Sequence, residues 1–148
     1  MNNLFGGSIQ TLDSKGRINL PAKIRDLAEK EQNGEQLFVV TRGSDPNIAI
    51  FPMSEWKKIN LRIDELVPNG KERRLVRRRM NMYSSIQKLD KQGRLNIPAE
   101  LIKYADLDKD VLVIATGEKV EVWNPEKLDG DVHKIENTYQ KVADVLDF

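Results

Sequence analysis

Arg17 and Arg94 each directly follow a glycine and stand four residues after an aspartate, in "DSKGR" (13–17) and "DKQGR" (90–94). A guanidinium at a hairpin tip can grip the O6 and N7 edge of a guanine with two hydrogen bonds. Lys15 and Lys91 lie in the same two stretches and can neutralise phosphate. Each arginine can also fold back on its turn aspartate as a local ion pair, a contact worth little when exposed. Spacing alone leaves both readings open. In either one the aspartate is structural, or it aims the arginine.

The arginines need tight turns to position them. Asp13 and Asp90 suit the first turn position, because a carboxylate there accepts backbone N–H bonds. Gly16 and Gly93 suit the left-handed position that closes a type I hairpin turn. The flanking "IQTL" and "RINL" are short and rich in branched residues, with Ile18 and Leu20 alternating with polar neighbours. Pro21 and Pro98 then stand where a helix starts. Ile24, Leu27 and Ala28, or Leu101, Ile102 and Ala105, follow at helical spacing.

The whole phrase is written twice. With Ile9 set over Ile86, "IQTLDSKGRINLPAKIRDLA" matches "IQKLDKQGRLNIPAELIKYA" at ten of twenty positions. A looser match continues, "LFVVTRGSDPNIAIFP" (37–52) with "LVIATGEKVEVWNP" (112–125), the second having the shorter turn. Such self-similarity marks an internal duplication. Four short strands and one helix are too few to bury a core alone. Two such units sharing strands predict an α+β fold: a small β-barrel with pseudo-twofold symmetry, flanked by helices. The expected division is 5–53 for the first repeat, 54–82 for a helical connector, 84–125 for the second repeat and 126–148 for a C-terminal helix.

These residues closely resemble the MraZ family, duplicated relatives of the AbrB-like swapped-hairpin proteins. The resemblance runs from "FGGSIQTLDSKGRINLP" through "IAIFPMSEW" and "LDKQGRLNIPAEL" to "VEVWNPEKL". It implies a bacterial transcriptional regulator acting on the promoter of its own cluster of cell-division and cell-wall genes. It further implies a ring of many subunits bound to short tandem DNA repeats, with no cofactor. Arg17, Arg94, Lys15 and Lys91 would face the DNA, held by Asp13, Gly16, Asp90 and Gly93. The DNA box, the ring size and the choice between repression and activation are not implied.

Composition narrows the alternatives. The chain has 148 residues, 39% of them hydrophobic, no cysteine and a single histidine, His133. Disulfides and thiolate metal sites are therefore excluded, and little remains for a histidine relay. No apolar run approaches the roughly 20 residues that span a bilayer, and "MNNLFGGSIQ" lacks the pattern of a secretory signal. A cytoplasmic, nucleoid-associated protein is expected. Asp13 and Asp90 could meet as paired carboxylates in an enzyme, but each opens a turn. No nucleophile–base pair or glycine-rich phosphate loop accompanies them, so no enzyme is expected. A ring scaffold for RNA or protein is the alternative. RNA recognition favours aromatic platforms, and there are only nine Phe, Tyr and Trp residues. An antitoxin of the swapped-hairpin class would resemble a single copy with a disordered tail.

The net charge of +1 hides an uneven distribution. "KERRLVRRR" (71–79) carries +5, and residues 126–148 carry −3. Arg73, Arg74, Arg77 and Arg78 share one helical face opposite Leu75, Val76, Met80, Met82 and Tyr83. Ion pairs with Asp129, Asp131, Glu136 and Asp144 are the favoured reading of that face, with phosphate contacts the other. Arg79 falls in the apolar arc and is expected to meet a carboxylate of its own or a neighbouring subunit. Trp56, Ile59, Ile63 and Leu66 form one amphipathic stripe; Ile135, Tyr139, Val142 and Leu146 form another.

Overall fold

The computed structural model describes residues 4–26, 28, 30, 33–117 and 119–148, and the side chains of Leu4 and Phe5 are not among the described atoms. The first repeat contributes β1 (Leu4–Thr11), β2 (Arg17–Asn19), α1 (Ala22–Arg25), β3 (Leu37–Arg42) and β4 (Ile48–Pro52). Helices α2 (Met53–Leu66) and α3 (Gly70–Met82) connect it to the second. There, β5 (Ser85–Lys88), β6 (Arg94–Asn96), α4 (Ala99–Tyr104), β7 (Asp110–Gly117) and β8 (Val120–Trp123) repeat the order. Helices α5 (Pro125–Lys134) and α6 (Glu136–Leu146) follow.

The strands exchange partners between repeats. β1 pairs with β7 along its whole length, and β5 pairs with β3. β4 and β8 meet at the centre, with Ala49 opposite Glu121. The result is a six-stranded antiparallel sheet in the order β1-β7-β8-β4-β3-β5, together with a separate β2–β6 ribbon. Both are symmetric about one pseudo-dyad, which passes between Ala49 and Glu121 in the sheet and between Ile18 and Leu95 in the ribbon. The expected closed barrel is not found: among the described residues β1 and β5 are left as sheet edges, and the ribbon joins neither by a ladder. Two three-residue strands are too short to pair with each other and also bridge both edges.

The ribbon instead covers the sheet. Ile18, Leu20, Leu95 and Ile97 pack with Phe38, Val40, Ile48, Ile50, Val111, Val113, Val120 and Val122 in one core. β-branched residues predominate there because they suit a pleated, buried surface. The ladders also correct the repeat alignment in its second part. Thr11 pairs with Asp110 and Lys88 pairs with Leu37. Leu37 therefore corresponds to Asp110 rather than to Leu112, a shift of two residues. Loop lengths drift between copies, whereas cross-strand pairing does not.

Pro21 and Pro98 cap α1 and α4, each carbonyl accepting two helical N–H bonds. α1 is a single turn; Leu27, expected on its apolar face, lies outside the described residues. On α2, Ile63 is buried and Trp56 packs on Phe51 with ring centroids 5.4 Å apart, but Leu66 is exposed. The C-terminal segment is two helices, broken at Ile135. Its apolar stripe is largely uncovered in the single chain, with Ile135, Tyr139, Val142 and Leu146 all exposed.

The arginine-rich helix α3 differs from expectation in its partners. Arg77 donates to Asp64 Oδ1, and Arg73 Nε lies 3.5 Å from the same oxygen. Arg77 also bonds Asn60, and Arg73 bonds the carbonyls of Val67 and Pro68. The C-terminal acids are not their partners. Only three residues separate α2 from α3, which brings Asp64 of α2 against the arginines of α3; Asp131 and Asp144 instead contact Lys134 and Gln140. Arg79 is exposed, and its guanidinium lies 4.6 Å from the Tyr83 ring centroid. Within this chain it meets an aromatic face and no carboxylate among the described residues. No residue of α3 is buried and Arg79 itself is exposed, so the charge carries no burial cost to offset.

Candidate functional site

Each turn is built by its own sequence. The Asp13 carbonyl accepts from Gly16 N (3.0 Å), and Asp13 N donates to Arg17 O (3.0 Å). Asp13 Oδ1 accepts from the backbone N–H of Lys15 and of Arg17, both at 2.9 Å. Asp13 Oδ2 accepts from Arg17 Nε at 2.8 Å. The second turn repeats this pattern: Asp90 Oδ1 accepts from Gln92 N and Arg94 N, and Oδ2 from Arg94 Nε at 2.8 Å. Gly16 and Gly93 have φ of +78° and +79°, conformations that disfavour side chains.

The two tips then lock together across the dyad. Gly16 O accepts from Ile97 N (2.7 Å), and Gly93 O accepts from Leu20 N (3.1 Å). Each turn is thus anchored by the strand end of the other repeat. A Cβ on Gly16 would lie 3.0 Å from the Ile97 carbonyl oxygen, a tight contact that, with the positive φ, favours glycine where the tips meet.

The local ion pair is therefore real, and it determines what the arginine can still do. The aspartate occupies only Nε. The two terminal nitrogens of each guanidinium make no hydrogen bond among the described residues. Both arginine side chains are 29% exposed. The edge left open carries two parallel N–H vectors, the geometry that grips a carboxylate, a phosphate or the guanine edge. The aspartate fixes the arginine by its inner edge and presents the outer one.

The carboxyls of Asp13 and Asp90 are held below their usual value of 3.8, chiefly by the arginine backbone N–H. Loss of water around each opposes this, while the arginine side chain and the second turn N–H reinforce it. A pKa lowered by folding contributes stability that is complete above the unfolded value and is lost as pH falls through the folded one. In urea melts from pH 7 down to pH 2, Asp13→Asn/Asp90→Asn is expected to flatten the loss of stability below about pH 4. An unchanged acid slope would contradict this role for the two carboxylates.

Lys15 and Lys91 are both exposed in these turns, at non-equivalent positions: Lys15 is the third turn residue and Lys91 the second. Sequence reasoning missed Arg25. Its side chain lies against Gly93 of the other repeat, while its counterpart Ile102 lies against Gly16. The repeat alignment places Arg25 over Ile102 and was the available signal. The second tip therefore carries an added cation that the first lacks.

The family model described as "MraZ protein, putative antitoxin-like" matches twice, over residues 4–78 and 80–144. A Natranaerobius thermophilus protein named transcriptional regulator MraZ is 38% identical over 147 residues, covering 98% of this chain and 99% of its own. Proteins of the same name from Halothermothrix orenii (34% identical, 92% and 91% covered) and Pediococcus pentosaceus (33%, 98% and 99%) are also similar. These relatives are named as regulators, not as enzymes. No helix among the described residues is long and apolar enough to cross a membrane.

Proposed function

The chain belongs to the MraZ family, and on that premise we propose that it is a sequence-specific DNA-binding regulator of transcription. Its target is the promoter of its own division and cell-wall gene cluster, in the nucleoid, where it binds tandem short repeats as a ring-shaped homo-oligomer. The observation that carries this reading is the open outer edge of Arg17 and Arg94, each aimed from behind by its turn aspartate. The major groove, about 12 Å wide, admits a two-stranded ribbon such as β2–β6. Arg17 and Arg94 read guanine there, and Lys15 and Lys91 meet phosphates beside it.

One ribbon spans few base pairs and binds weakly alone. A ring presents many copies, and linked sites gain affinity without new contacts. The uncovered stripe of Ile135, Tyr139, Val142 and Leu146 supports self-association, because contiguous exposed apolar surface favours burial. Native mass measurement should give several times 17.0 kDa rather than the mass of one subunit. Binding to the DNA upstream of the coding region should fall at least about 10-fold when only one repeat is left, or when repeats are moved by half a helical turn. A monomer that binds one repeat as tightly as the full array would refute the ring reading.

A further inference from the structure

The arginines share the ribbon's outer face with two asparagines. Strand alternation turns Ile18 and Leu95 into the core, at 1% and 0% exposure, and so turns Arg17, Asn19, Arg94 and Asn96 outward. The register sets Arg17 directly opposite Asn96, and Asn19 directly opposite Arg94. Both asparagines are exposed. Neither side-chain amide makes a hydrogen bond among the described residues. Asparagine is a poor strand former, because it packs little surface and competes for backbone partners. Nevertheless the chain writes it at matched positions, in "GRIN" and "GRLN".

We infer that Asn19 and Asn96 read adenine beside the guanines read by Arg94 and Arg17, so that each cross-strand Arg–Asn pair reads two neighbouring base pairs of duplex DNA. The inference rests on the DNA reading proposed above. A primary amide can set one N–H donor beside its carbonyl acceptor, the complement of adenine N7 and N6. Directly opposed strand residues stand about 5 Å apart, and stacked base pairs about 3.4 Å. One Arg–Asn pair therefore fits adjacent steps. The pseudo-dyad relates the two pairs, so the core of the box holds two guanine–adenine combinations in approximately inverted order. Lysine or threonine would suit an exposed strand better, but neither matches adenine with two bonds.

The test is selection of duplexes from a randomised pool by the full-length protein and by Asn19→Ala and Asn96→Ala, followed by 7-deazaadenine replacement in the selected box. That analogue removes N7 while keeping the base pair. Each alanine variant is expected to bind the selected box about 10-fold more weakly, to lose preference at one adenine, and to keep the guanines. 7-Deazaadenine at that position should weaken the wild-type protein by a similar factor and the matching variant hardly at all. If both variants keep wild-type affinity and base preference, the asparagines are bystanders and the inference is overturned while arginine reading stands. If the wild-type protein selects no sequence, DNA reading itself fails and the inference falls with it. Both positions are exposed, and circular dichroism confirms that the variants are folded.

Discussion

Replacing Arg17 and Arg94 together by alanine is expected to weaken binding to the upstream repeats by at least about 100-fold, with little change in melting temperature. A bidentate arginine–guanine contact is worth about 1–3 kcal/mol, or about 5- to 150-fold, and two are lost per subunit. Engagement of several subunits multiplies the effect. Stability changes little because each ion pair stands partly in water. The lysine variants separate charge from shape. Arg17→Lys and Arg94→Lys keep the positive charge but lose the planar fork. They should therefore bind with nearly the wild-type salt dependence and with reduced preference for the box. Equal loss on box and scrambled DNA would assign the arginines to phosphate instead.

The second large effect concerns the fold beneath the tips. Ile18 and Leu95 face each other across the pseudo-dyad and are the central inward residues of the ribbon. Ile18→Ala or Leu95→Ala is expected to cost about 2–5 kcal/mol in urea unfolding, the range for emptying a buried aliphatic site. Total domain stability is about 5–15 kcal/mol, so the double variant should be largely unfolded. The pair shares one cavity, and its effects should not add simply. Ile9→Ala is the control: Ile9 is 57% exposed on edge strand β1 and should cost about 0.5 kcal/mol or less. A loss below about 1 kcal/mol for either buried residue would show that the ribbon does not depend on this core.

What could be read from the chain tracks the range of the interaction. The D-x-x-G-R turns were readable because the bonds that shape each one, from Asp13 to Gly16 and Arg17 and from Asp90 to Gly93 and Arg94, close within five residues. Pro21 and Pro98 announced the helices for the same local reason. The duplication implied shared strands, but it could not say that β1 would take β7 and β5 would take β3. Nor could it say that the sheet would stay open. Partners brought close by chain reversal were missed: Arg73 and Arg77 found Asp64 next door rather than the acidic C-terminal segment. The open arginine edge was also invisible, because it depends on which nitrogen the aspartate takes.

Methylation protection tests the central claim most directly. Dimethyl sulfate attacks guanine at N7, on the major-groove edge that the arginines are proposed to grip. On the upstream DNA, the wild-type protein is expected to shield guanines recurring at helical spacing, and Arg17→Ala/Arg94→Ala should leave those guanines reactive at concentrations where it still binds. Full reactivity at every guanine under saturating wild-type protein, or identical protection by the double variant, would contradict reading through the paired tips.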